Sequence, residues 1–216
     1  MLQKLDRSAH ARNAKKTPRG SNPWDLPVIL EKGDDTGDSL FAAVGKALSN
    51  WEHLENQLAF LFTVFVGGKV TRDLPAPAVR AYGTVMSFKG RAAMLQAAAK
   101  AYFLSRPDLG HAEQWSDMVK QLEGFSERRN DIAHGSVECS FDLDSEKKLG
   151  FFLMPGLYVS KKYPTGEPPK YQLTAEQVLR FAQCFADLAA SVSHFRYVVL
   201  TKRRSSRRTP APVPRP

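Results

Sequence analysis

Between Leu40 and Phe65 apolar residues recur at steps of three and four. Phe41, Val44, Leu48, Trp51, Leu58, Phe62 and Phe65 would line one side of a helix. Asp38 or Ser39 offers its N-cap, and Gly67-Gly68 its stop. A second helical stretch spans about 77–104, entered through Pro75 and Pro77, and Gly83, Ser87 and Gly90 predict a break into two pieces. A third runs from about His111 to Ala133 and meets Gly135. The period then changes to two: Val137–Phe141 and part of Gly150–Met154 alternate, with turn residues at Asp144-Ser145 and Pro155-Gly156. Tyr158-Val159 and Tyr171–Leu173 are further short extended candidates, so residues 136–173 read as a small antiparallel hairpin or meander. Thr174, with Glu176 and Gln177 close behind, opens a last helix whose stripe is Val178, Phe181, Phe185, Leu188, Val192 and Phe195. The expected fold is mainly α, an antiparallel bundle of four or five helices with a small β-hairpin or meander inserted before the last.

Composition changes this picture only at the ends. A chain of 216 residues, 43% hydrophobic and 25% charged, is of ordinary globular make-up. Its net charge of +9 would suggest a nucleic-acid partner, but residues 1–20 carry +5 and residues 202–216 carry +6, leaving the stretch between slightly acidic. The expected organisation is therefore a basic, disordered N-terminal extension over 1–37, a helical body over 38–201, and a basic, Pro-rich tail over 202–216. Such tails can hold a polyanion through phosphate contacts, and an Arg-rich, acid-poor start also suits an organelle transit peptide. Two cysteines without C-x-x-C spacing exclude a disulfide scaffold and a cysteine zinc site. The longest apolar run, Leu58–Gly68, is too short for a membrane span, and the start lacks the apolar core of a secretory signal. A cytoplasmic protein with no membrane partner, no cofactor and no metal is expected.

The candidate chemistry sits where charge interrupts an apolar seam. Glu55 lies in the seam Trp51, Glu55, Leu58, Phe62, Phe65, and Arg129 in the seam Trp115, Met118, Leu122, Phe125, Arg129, Ile132. A charge facing a core needs a partner, so the simplest expectation is a Glu55–Arg129 ion pair. Asn130 and His134 are one helical turn apart on one face, and the long side chain of Arg129 reaches the same rim. Guanidinium, amide and imidazole would then converge at a helix C-terminus that Gly135 keeps open. A guanidinium grips phosphate oxygens in a fork, and an imidazole moves a proton near neutral pH. The same His134 can alternatively serve as a helix cap.

The run Glu127-Arg128-Arg129-Asn130-Asp131-Ile132-Ala133-His134-Gly135 resembles the signature of the HEPN (higher eukaryotes and prokaryotes nucleotide-binding) superfamily. Residues Trp51–Leu58 are similar to the first helix of bacterial members. The resemblance implies a helical bundle that dimerises, with two motifs facing each other. Many such proteins are metal-independent endoribonucleases of toxin–antitoxin, phage-defence or RNA-processing systems, and others are inactive scaffolds. Carried over, Arg129, Asn130 and His134 would be catalytic, Glu55 and Arg128 would support them, and Arg128 is at a spacing that could replace Arg129.

The function expected from the resemblance is RNA cleavage by a homodimer, with an antitoxin or regulatory protein as a further partner. Its rival is a non-catalytic scaffold that binds a partner protein or nucleotide. Tyr158, Lys161, Lys162 and Lys170 mix aromatic and basic residues and form a weaker candidate RNA-binding set.

Overall fold

The computed structural model describes residues 22–68, 77–106, 111–142, 145–159, 161–164 and 167–206. The basic stretches 1–20 and 207–216 lie outside them. Among the described residues the protein is mainly α-helical, with α1 (Gly37–Phe65), α2 (Pro77–Gly83), α3 (Phe88–Leu104), α4 (Ala112–Ala133) and α5 (Ala175–Ser206). A two-stranded antiparallel sheet, β1 (Gly135–Phe141) and β2 (Lys148–Pro155), stands between α4 and α5.

The ends of these elements follow local chemistry. Gly67 ends α1 at φ 81°, where an L side chain is strained. Gly68 N–H reaches Thr63 O at 2.8 Å and Gly67 N–H reaches Val64 O at 3.1 Å, the paired bonds of a Schellman motif. The expected break in the second helical stretch falls at 84–87, and Ser87 Oγ accepts from Gly90 N to cap α3. Thr174 and Gln177 exchange side-chain and backbone bonds, a capping box that starts α5.

The chain forms two compact units. The first comprises residues up to Trp51 together with Glu123–Phe185. Its aromatic core is Trp51 edge-on to Phe185 at 5.2 Å, Phe125 edge-on to Phe185 at 5.8 Å, and Trp24 edge-on to Phe125 at 5.7 Å. Here α1 buries Leu40, Ala43, Ala47 and Trp51, while Phe41 is 62% exposed. Of the expected stripe Trp51, Leu58, Phe62 and Phe65 are buried and Val44 and Leu48 half-buried, so Phe41 alone departs from it. Small alanines carry the contact, and hydropathy alone ranks them below Phe and Val.

Residues 22–37 of this unit are not the disordered extension expected over 1–37. Gly124 leaves room for the Trp24 ring, since a Cβ there would lie 2.4 Å from it. Asp34 exchanges backbone bonds with Phe151, at 2.9 and 2.8 Å, on the side of β2 away from β1. Its carboxylate accepts from Ala175 N at 2.7 Å, capping α5 across 141 positions. Leu173 bridges Leu153 on the same edge. The tail assigned to 202–216 is likewise corrected at its start, because α5 continues to Ser206.

The second unit comprises Glu52–Leu122 and the chain from Ala186 onward. Phe65 stands at its centre, with Tyr102, Phe103 and Trp115 between 5.3 and 5.6 Å away. Trp115 stacks on Phe195 at 6.1 Å, and Phe62 packs on Tyr82. Among the described residues no helix is long and apolar enough to cross a membrane.

Candidate functional site

The last turn of α4 carries the motif residues. Arg129 is half-buried, while Asn130 and His134 are exposed. Arg129 Nη1 donates to Asn130 Oδ1 at 3.0 Å, and its guanidinium carbon lies 5.9 Å from the centre of the Trp51 ring. His134 N–H closes the helix on Asn130 O at 3.1 Å, so the imidazole projects from the first residue beyond α4. Gly135 does not leave an open end. It begins β1, and a Cβ there would meet Leu153 at 2.9 Å and Asp131 O at 3.0 Å. Any larger residue there would require the Leu153 side chain or the chain itself to shift.

Arg128 points into a different set of contacts. It lies 3.1 Å from Asp131 Oδ2 and 3.2 Å from Glu127 Oε2, with its side chain 12% exposed. The Asp131 contact is an ion pair without hydrogen-bond geometry, which leaves Oδ2 with no hydrogen-bond partner among the described residues. Asp131 is 2% exposed, and its Oδ1 receives the ammonium of Lys162. Its main-chain oxygen accepts from the Tyr171 hydroxyl at 3.0 Å. Burial first, and the Asp131 carboxylate second, push the Tyr171 hydroxyl well above its ordinary value. Of the two arginines, Arg129 is the one bonded to Asn130, and Arg128 is held by Asp131 and Glu127.

The expected Glu55–Arg129 pair is replaced. Arg91 grips Glu55 as a fork, with Nε to Oε2 at 3.0 Å and Nη2 to Oε1 at 2.7 Å, and donates Nη1 to Val85 O at 2.9 Å. Burial alone would lower the Arg91 pKa, but the hydrogen bonds and charge of Glu55 outweigh it and raise it. Burial, with Glu55 second, raises the Tyr82 hydroxyl. Glu55 thus joins α1 to α3 as a structural residue. Arg91 was detectable, since it heads the seam Arg91, Leu95, Ala99, Tyr102, the last three of which are buried. Asp131 also had a signal, three positions after an arginine and beside buried Ile132.

The weaker set divides. Tyr158 is 83% exposed, and Lys161 and Lys170 are exposed as well. Lys162 is committed to Asp131. Among the described residues no group of three or more His, Cys, Asp or Glu is placed to hold a metal ion. Neither a scan of protein-family models nor searches of curated proteins and of solved structures return a match.

Proposed function

We propose that the protein is a metal-independent endoribonuclease of HEPN type, folded as an antiparallel helical bundle and acting as a cytoplasmic homodimer in a toxin–antitoxin or phage-defence setting. The observation that carries this reading is the Arg129–Asn130 side-chain bond at the exposed end of α4, one turn from an exposed His134. The bond restrains the guanidinium beside Asn130, and His134 follows Asn130 by one helical turn. In the reaction the substrate 2′-hydroxyl attacks the neighbouring phosphorus while His134 moves its proton. The new O2′–P bond displaces the 5′-oxygen, which leaves protonated, and a 2′,3′-cyclic phosphate results. Arg129 offsets charge growing on the phosphoryl oxygens, and Asn130 orients Arg129. Arg128 supports the motif through Asp131 rather than through the substrate.

The second reading is a non-catalytic scaffold, favoured by the burial of Asp131, which gives this stretch of α4 a structural reason of its own. Incubation of folded protein with RNA in EDTA separates the two. The wild type is expected to leave 2′,3′-cyclic ends and to spare DNA. His134→Ala is expected to cut about two to four orders of magnitude more slowly. Arg129→Lys keeps the charge without the fork and should also be impaired. An inactive wild type, or an undiminished His134→Ala protein, would favour the scaffold.

A further inference from the structure

The register of the hairpin determines what stands beside His134. Gly135 pairs with Pro155, so His134 and Gly156 are the next residues outward at the same end of the sheet. Two positions further on is Tyr158, whose ring lies over Gly156, since a Cβ on that glycine would sit 2.7 Å from Tyr158 Cε1. The chain then turns tightly. Val159 N–H bonds Gly156 O at 2.9 Å, and Lys162 and Tyr163 both donate to Val159 O. Lys170 N–H closes on Lys162 O at 2.9 Å.

Two contacts tie this segment to one residue of the motif helix, Asp131. Lys162 meets the Asp131 carboxylate and Tyr171 meets the Asp131 main-chain oxygen, three positions before His134. Tyr158 stands on the turn closed by the Val159–Gly156 bond, and 83% of it faces solvent. Core packing does not explain an aromatic ring in that position. Exposed Lys161 follows Tyr158 by three positions, and the Lys170–Lys162 main-chain bond brings exposed Lys170 back to the same segment, whereas the charge of Lys162 is met by Asp131. An exposed aromatic face with exposed lysines three positions on and on the adjoining return of the chain suits an unpaired base with its phosphates.

We propose that Tyr158 is a base-stacking platform for an unpaired nucleotide of the RNA, with Lys161 and Lys170 gripping the backbone and Asp131 fixing the platform beside His134. The inference rests on the ribonuclease reading for the identity of the ligand. It is tested by binding a fluorescein-labelled, ten-nucleotide single-stranded RNA to full-length His134→Ala protein in EDTA, with melting curves for every variant. Adding Tyr158→Ala is expected to weaken binding by about tenfold to a hundredfold, and Tyr158→Phe, which keeps the ring face, by little. Lys161→Ala with Lys170→Ala is expected to flatten the log–log salt dependence by about 1.4, two phosphate contacts on a single strand. The same RNA in a perfect duplex is expected to be insensitive to Tyr158→Ala.

Unchanged single-strand affinity in the folded Tyr158→Ala protein would overturn the platform, as would an equal loss on the duplex. Failure here is separable from failure of the ribonuclease reading. Metal-free cleavage that is lost in His134→Ala, with binding indifferent to Tyr158, sinks only the platform. Tyr158-dependent binding by a wild type that never cuts sinks only the nuclease.

Discussion

Glu55 and Asp131 are both buried carboxylates on long helices, and each has an arginine partner and a tyrosine neighbour. They differ in how the charge is met. Glu55 is gripped through both oxygens by Arg91, whose side chain is only 17% exposed, and the result locks helix to helix. Asp131 divides its oxygens between Arg128 and Lys162, the latter 38% exposed, and ties a loop to the end of the motif helix. A closed, bidentate pair is a structural bolt that is costly to break. A pair with one solvent-accessible partner relaxes more cheaply.

The sharpest way to break this comparison is to remove each carboxylate in turn. Glu55→Ala leaves Arg91 buried without its partner and is expected to cost about 3–5 kcal/mol, measured by urea unfolding. The molecules that remain folded should bind single-stranded RNA as before. A loss below about 1 kcal/mol would mean that water reaches Arg91 and that the two carboxylates are alike.

Asp131→Asn keeps the shape but removes the charge. It is expected to cost about 1–3 kcal/mol, because Lys162 can turn to water. Here the effect should extend to function, as a lower cleavage rate and weaker RNA binding in protein that is still folded. A variant that loses stability but keeps both would reduce Asp131 to the same structural role as Glu55.

The smallest effect concerns alkaline pH. Tyr82 and Tyr171 ionise in the unfolded chain near the ordinary value of 10.0, while burial keeps both protonated higher in the folded protein. Above that pH the unfolded state holds fewer protons, so stability present below about pH 10 should fall as pH rises. Each tyrosine contributes at most about 1.4 kcal/mol per pH unit. Tyr171→Phe should remove one share of the slope of urea midpoint against pH, and an unchanged slope would place Tyr171 in contact with water.

Local signals alone placed the helices, the glycine stop of α1, the break before Ser87, the capping box at Thr174 and the hairpin. Periodicity, capping and turn chemistry are properties of neighbouring residues, so they can be read along the chain. That Asn130 and His134 stand one helical turn apart was readable for the same reason, whereas the Arg129–Asn130 side-chain bond is visible only in the structure.

Only the tertiary structure decided which charge meets which. Two seams interrupted by charge suggested Glu55 with Arg129, yet Arg91 on a third helix took the glutamate and Asp131 took Arg128 and Lys162. Nor did any local pattern show that Asp34 caps a helix 141 positions away, or that alanines rather than Phe41 face inward along α1. A buried charge states only that it needs a partner. Which partner it gets depends on the packing of segments far apart in the chain, and on the close approach that small side chains permit.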